Sequence, residues 1–189
     1  MSKLVSSGLA AAAATAFVSL IAVSPAAAAP PDRFVDQSDQ IIEDFCGDLT
    51  VREVVDVTVT ESGMARGSDG LIYFASHVRG SVSYTNVENG LTFTNTFNTL
   101  SKDLSVTDNG DGTLTVLVLA TGNSTVYGPD GQVLRDPGQT RFELVVDHGG
   151  TPTDPSDDEV ISETVVKEST GRSDLEGRDF CDDIHEFIG

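Results

Sequence analysis

The stretch Leu100–Gly122 limits this chain more than any other. It reads as a β-hairpin. Leu100–Thr107 runs out, Asp108-Asn109-Gly110-Asp111-Gly112 turns, and Thr113–Thr121 returns with the most apolar run after the leader: Leu114, Val116, Leu117, Val118 and Leu119. Asn, Asp and Gly tolerate positive φ, so their clustering between two β-rich runs specifies a turn. If the five turn residues form the loop, Val106 meets Leu114, Leu104 meets Val116 and Leu100 meets Ala120, all on one face. A slip of one residue sets these groups against Thr and Ser.

Hairpin signals recur on both sides. Leu49, Val51, Val55, Val57 and Val59 alternate with Thr50, Arg52, Asp56, Thr58 and Thr60, as in a half-buried strand. Asn89-Gly90 between Ser81–Val87 and Leu91–Asn98 is a two-residue turn signal that pairs Val82 with Phe97, Tyr84 with Asn95 and Asn86 with Phe93. The other face of that hairpin is nearly all Ser and Thr, so the face with Tyr84 points inward. Apolar parity then switches from odd to even positions, which calls for a bulge near Asn98–Leu100. Gly128-Pro129-Asp130-Gly131 turns the chain again and pairs Val126 with Val133. Gln139–Asp147 and Glu159–Glu168 complete the strands, and Asp179–Phe187 reads as a short helix docking Phe180, Ile184 and Phe187. About eight antiparallel strands joined by short turns make an all-β meander. A closed barrel is preferred to a two-sheet sandwich because closure leaves no free edge.

Met1–Ala29 has the make-up of a secretory signal peptide: Lys3, an apolar run from Leu9 to Val23, and a cleavage site expected within Ala26–Ala29. The run is short for a membrane span and no second one follows. The expectation is a secreted, extracellular protein with a flexible lead-in at 30–39, a helical turn at Gln40–Phe45 and a single β domain over 40–189. Beyond the leader the chain keeps all 30 acidic residues and 10 of the 11 basic ones, a formal charge of −20. Such a charge repels nucleic acid and anionic membranes. Cys46 and Cys181 stand in matching Asp-Phe-Cys tripeptides near the two ends of the domain. In an exported chain an even pair reads as a disulfide.

No local motif for catalysis is present. There is no G-x-S-x-G, no phosphate loop, and no metal spacing among His77, His148 and His185. The loop Asp147–Glu159 is dense in oxygen donors, and Asp147, Asp154, Asp157, Asp158 and Glu159 make it a candidate calcium site beside the plainer reading of a solvated tip. No other cofactor is expected.

The Ala-rich leader, the paired Asp-Phe-Cys ends and the run Gly149-Gly150-Thr151-Pro152-Thr153-Asp154-Pro155-Ser156-Asp157-Asp158 together resemble small secreted actinobacterial proteins that carry no assigned activity. The resemblance implies export by a high-GC Gram-positive bacterium and carries no functional residue with it. The strand pattern also looks like that of lipocalin-type and allene-oxide-cyclase-type barrels, a likeness of fold rather than function.

Three functions remain open. The first is a barrel that binds a small, mostly apolar molecule among Tyr84, Asn86, Asn95, Phe93 and Phe97, where amides set in apolar walls have the composition of a pocket. A filled core with satisfied amides competes with it. The second is an isomerase or cyclase in the same cavity, with Glu53 and Glu88 as its acid or base. The third is a structural, self-associating protein, with Leu117 and Leu119 as an apolar strip on the face opposite Val116 and Val118.

Overall fold

The computed structural model describes residues 31–189; the leader read at Met1–Ala29 lies outside them. Seven strands form one sheet: β1 (Asp32–Phe45), β2 (Leu49–Arg66), β3 (Leu71–Asn86), β4 (Thr92–Asp108), β5 (Thr113–Tyr127), β6 (Val133–Asp147) and β7 (Glu159–Lys167). Each pairs antiparallel with its neighbour in sequence, so the spatial order is the chain order. A helix, α1 (Phe180–Ile188), ends the chain. The all-β meander of the sequence reading is therefore correct, and the Asn- and Gly-rich turns lie between strands as expected.

The strands are fewer and longer than expected. Ser81–Val87 continues Leu71–His77 as one strand, and Gly122 does not divide β5. The reason is close packing of backbones. A Cβ on Gly80 would lie 2.1 Å from the Asp56 carbonyl oxygen, and one on Gly122 would lie 2.5 Å from that of Asn98. These glycines let adjacent strands approach where a side chain would force them apart.

β1 is a second correction. Residues expected as a lead-in and a helical turn form one strand, because the outer edge of β2 needs a partner for its backbone. The links across this pair are polar: Gln37 Nε2 donates to Asp56 (3.2 Å), Gln40 Nε2 to Glu53 (2.7 Å), and Arg52 pairs with Asp39. A strand held this way leaves no apolar alternation in the sequence.

The β3–β4 register differs from the expected one by two residues, which keeps the faces, whereas the β5–β6 register differs by one. Asn86 pairs with Leu91 around a turn in which Gly90 has φ +74°, so Tyr84 faces Phe93 and Val82 faces Asn95. The outward hydroxyls bond as a ladder, Ser83 to Thr94 and Thr85 to Thr92, both at 2.9 Å. In the central hairpin Val106 faces Val116 rather than Leu114, and Leu134 rather than Val133 stands opposite Val126. The parity switch is present as a bulge between Asp103 and Ser105, a few residues later than expected.

The sheet does not close. β1 and β7 are its two edges, so the expected barrel is not supported, nor is a second sheet present among the described residues. Two features oppose closure. The chain beyond β7 runs along the outer edge of β6, with Thr170 N–H donating to Gln139 O (3.2 Å) and Asp174 N–H to Arg135 O (3.0 Å), so closure would require β1 to pair with this irregular segment as well as with β7. β1 is also acidic, with Asp32, Asp36, Asp39, Glu43 and Asp44 against Arg33, and would meet Glu159 and Glu163 on β7.

Burial is concentrated at the two ends of the sheet. At one end Val51, Phe93 and Val126 pack with Ile184, Phe187 and Ile188 of α1, flanked by Phe45, Leu134 and Leu175. At the other, Leu71, Val106, Leu114 and Val146 pack with Tyr73, Val116 and Leu144. Each fully buried side chain contributes roughly 1.5–3 kcal/mol. Asp179 caps α1 by accepting from the N–H groups of Cys181 (2.9 Å) and Asp182 (3.2 Å), worth about 1 kcal/mol. Arg178 bonds Asp183 (2.6 Å) and Glu186 and lies over the Phe187 ring.

Cys46 and Cys181 are joined, with their Cα atoms 5.3 Å apart, as the paired tripeptides suggested. The bond ties the β1–β2 turn to α1 across 135 residues, which on the chain-entropy model stabilises the fold by roughly 5 kcal/mol before strain. Replacing both cysteines by serine is expected to lower the unfolding free energy by about 2–5 kcal/mol. Urea titration of the two proteins checks this, and an unchanged midpoint would contradict it.

Candidate functional site

The inward residues of β3 and β4 were read as pocket walls, and the structure fills that place with α1. Phe93 is 1% exposed and lies 5.8 Å, centroid to centroid, from Phe187. Asn86 is 3% exposed and bonded at both ends of its amide: its Nδ2 donates to the Ile188 carbonyl (2.6 Å), and its Oδ1 accepts from the Glu88 N–H (2.8 Å). Asn89 Nδ2 donates to the same Ile188 carbonyl (3.0 Å). The buried amide thus holds the C-terminal carbonyl of a helix, one of the groups a helix leaves unpaired. Asn95 lies further along the face and accepts from Ser124 Oγ (2.6 Å), while Phe97 is half-buried opposite Gly80. The structure brings together Tyr84, Asn86 and Phe93, and leaves Asn95 and Phe97 apart from them.

Of the two carboxylates, only Glu53 enters this neighbourhood. Gln40, Glu53, Tyr84 and Phe93 stand side by side in one row across β1 to β4. Phe45 stacks on Tyr84 at 4.8 Å, and Phe180 meets it edge-on at 5.7 Å. Burial, and then the neighbouring Glu53 carboxylate, push the Tyr84 phenol up to about 12. The phenol is accordingly a hydrogen-bond donor at every ordinary pH. Glu88 is exposed in the β3–β4 turn, outside this row. Sequence reasoning missed Asp103, whose Oδ2 accepts the Phe74 N–H (2.7 Å) and whose carboxyl burial pushes upward.

The loop between β6 and β7 is built from its own carboxylates. Asp147 accepts from Gly149 N–H (2.9 Å), Asp154 from Ser156 N–H (3.1 Å) and Asp157 from Thr151 Oγ1 (2.8 Å), while Glu159 is exposed at the start of β7. His148 is 6% exposed and its Nδ1 accepts from Gly150 N–H (3.2 Å). Such bonds close Asx-type turns. Among the described residues no three His, Cys, Asp or Glu gather as metal ligands. Asp158 stands apart, since its Oδ1 is buried without a hydrogen-bond partner. Burial, with Asp157 adding to it and His148 opposing, pushes its carboxyl up to about 6.

The apolar surface left open lies elsewhere. Leu117 and Leu119 are half-buried; Leu117 stands between Ser105 and Glu143 in its row, and Leu119 between Lys102 and Arg141. At the sheet edges, by contrast, Phe34, Val35 and Ile41 of β1 and Val160, Ile161, Val165 and Val166 of β7 are all exposed. A depression over β1 and β2, lined by Gln37, Ser38, Asp39, Val54, Val55 and Asp56, is also open to solvent. The sequence carried one signal for β7. Its apolar residues occupy both parities, a pattern proper to a strand covered on both faces, yet it comes last in a meander and has one neighbour. No helix among the described residues is long and apolar enough to cross a membrane.

Asp158 makes stability depend on pH. Its folded-state value of about 6 lies above the ordinary 3.8, so the fold favours the protonated form. That stabilisation is complete below about pH 4 and is lost as pH rises through about 6. Asp158→Asn, which keeps the neutral shape, is expected to raise the melting temperature at neutral pH and leave it unchanged near pH 4, as read from thermal melts at both. Comparison with known proteins finds no family model that matches the chain, no match among curated proteins and none among solved structures.

Proposed function

We propose that this chain is an exported structural protein that works by associating edge to edge with further copies of itself. The observation that carries the reading is the open sheet, whose last strand is exposed at every residue and bears four exposed aliphatic side chains. An edge strand presents unpaired N–H and C=O groups, and proteins that stay apart shield such edges with charge, proline or a covering segment. Here the covering segment runs beside β6 and leaves β7 bare.

Other features support the same reading. The pocket place is filled by α1, so apolar surface is offered at the edges rather than in a cavity. The disulfide is compatible with life outside the cell, and the leader would deliver the chain there.

A charge of −20 on each copy opposes association, and salt screens it. Light scattering on the chain without its leader is expected to give a mass above that of one chain at high protein concentration. That mass should rise as salt is added. A single-chain mass at every concentration and salt would refute the proposal.

A further inference from the structure

The order of strands leaves β7 with one free side, and its sequence is close to self-complementary when read against itself. We infer that the first contact is β7 against β7 of a second copy, antiparallel about a two-fold axis at Glu163; this rests on the self-association reading above. In that register Glu159 faces Lys167 of the other copy and Lys167 faces its Glu159. Val160 faces Val166, Ile161 faces Val165 and Ser162 faces Thr164 across the same seam. Opposite charges, aliphatic pairs and hydroxyl pairs are each favourable across an antiparallel seam. The exception is Glu163 against its own copy at the axis.

The register is selective. Moving it by one residue sets Glu159 opposite Val166, or Lys167 opposite Val160, and both ion pairs are lost. Ile161 and Val166 are the bulged residues of β7 and have no partner on β6, and both are more than half exposed. Glu159 and Lys167 stand opposite Asp147 and Arg141, at the two ends of the strand.

The other edge does not compete. β1 holds five acidic residues against Arg33, so β1 on β1, or β1 on β7, sets like charges along the seam. Pairing through β7 alone uses the same patch on both copies, and such an isologous contact closes at two instead of growing into a filament. Two seven-stranded sheets would become one continuous sheet across the axis.

The axis itself supplies a direct probe. Both native cysteines are bonded, so Glu163→Cys introduces a single thiol. Facing residues of an antiparallel pair lie about 4.5–5.5 Å apart at Cα, within disulfide reach. Glu163→Cys is expected to form a covalent dimer under mild oxidation, seen on a non-reducing gel, while Glu168→Cys just beyond the strand does not. The charge cycle is read by sedimentation equilibrium. Lys167→Glu should weaken the dimer about tenfold, Glu159→Lys likewise, and the double exchange should restore it. Glu163→Gln should tighten it by removing the like-charged pair. Circular dichroism of each variant confirms that the sheet is intact. If dimers form but ignore the charge exchanges and both thiols behave alike, the β7 pairing is wrong while self-association stands. If the unaltered chain is a monomer throughout, both fail.

Discussion

Hydrogen bonding between strands that follow one another in the chain is the constraint on which this structure depends. Seven strands of 9 to 18 residues pair in sequence order, and every ladder is a hairpin. Each strand finds its partner across a short loop, so the entropy lost in closing it is small. What the arrangement lacks is a second layer. Apolar contacts gather at the two ends of the sheet, and the length between them is held by the ladders and by rows of half-buried side chains. Among the described residues no segment covers the free sides of β1 and β7, which makes these edges the most consequential surface.

The α1 end is where the chain departs from a plain meander. Cys46–Cys181, the packing of Ile184 and Ile188, and the bonds from Asn86 and Asn89 to the Ile188 carbonyl fix one helix against the turns β1–β2 and β3–β4. These contacts are mutually dependent. The carbonyl to which Asn86 donates is available because Ile188 lies in the last turn of the helix, where no intrahelical N–H follows to pair with it. A nine-residue helix is too short to be stable alone, so it forms because it is docked. Its arrival turns a face with the composition of a pocket into packed core.

The same chemistry can thus serve two ends, and composition does not separate them. Asn86, Tyr84 and Phe93 among valines describe a binding site as well as a helix dock. Only the occupant of the face decides. The acidic loop repeats the point: Asp147, Asp154 and Asp157 crowd a stretch dense in oxygen donors, but they accept from the N–H and O–H groups of their own turns. Short-range bonds cost little entropy and are made first.

Features under local physical control were legible in the sequence. The strands with alternating valines, the Asn-Gly and Pro-Asp-Gly turns, the inward face of β3 and β4, the short helix near Asp179–Phe187 and the pairing of the two cysteines follow from residue type and spacing, and the structure has each of them. β1 was hidden because an edge strand bonded through Arg52–Asp39 and Gln40–Glu53 needs no apolar period. The number of strands was overestimated because apolar runs on either side of Gly80 and Gly122 were counted apart, although these glycines let neighbouring backbones meet within one long strand. That the sheet stays open was not legible in any local stretch. Closure depends on what lies beside β6 and on the charges that β1 would bring to β7, and both are contacts between residues far apart in the chain.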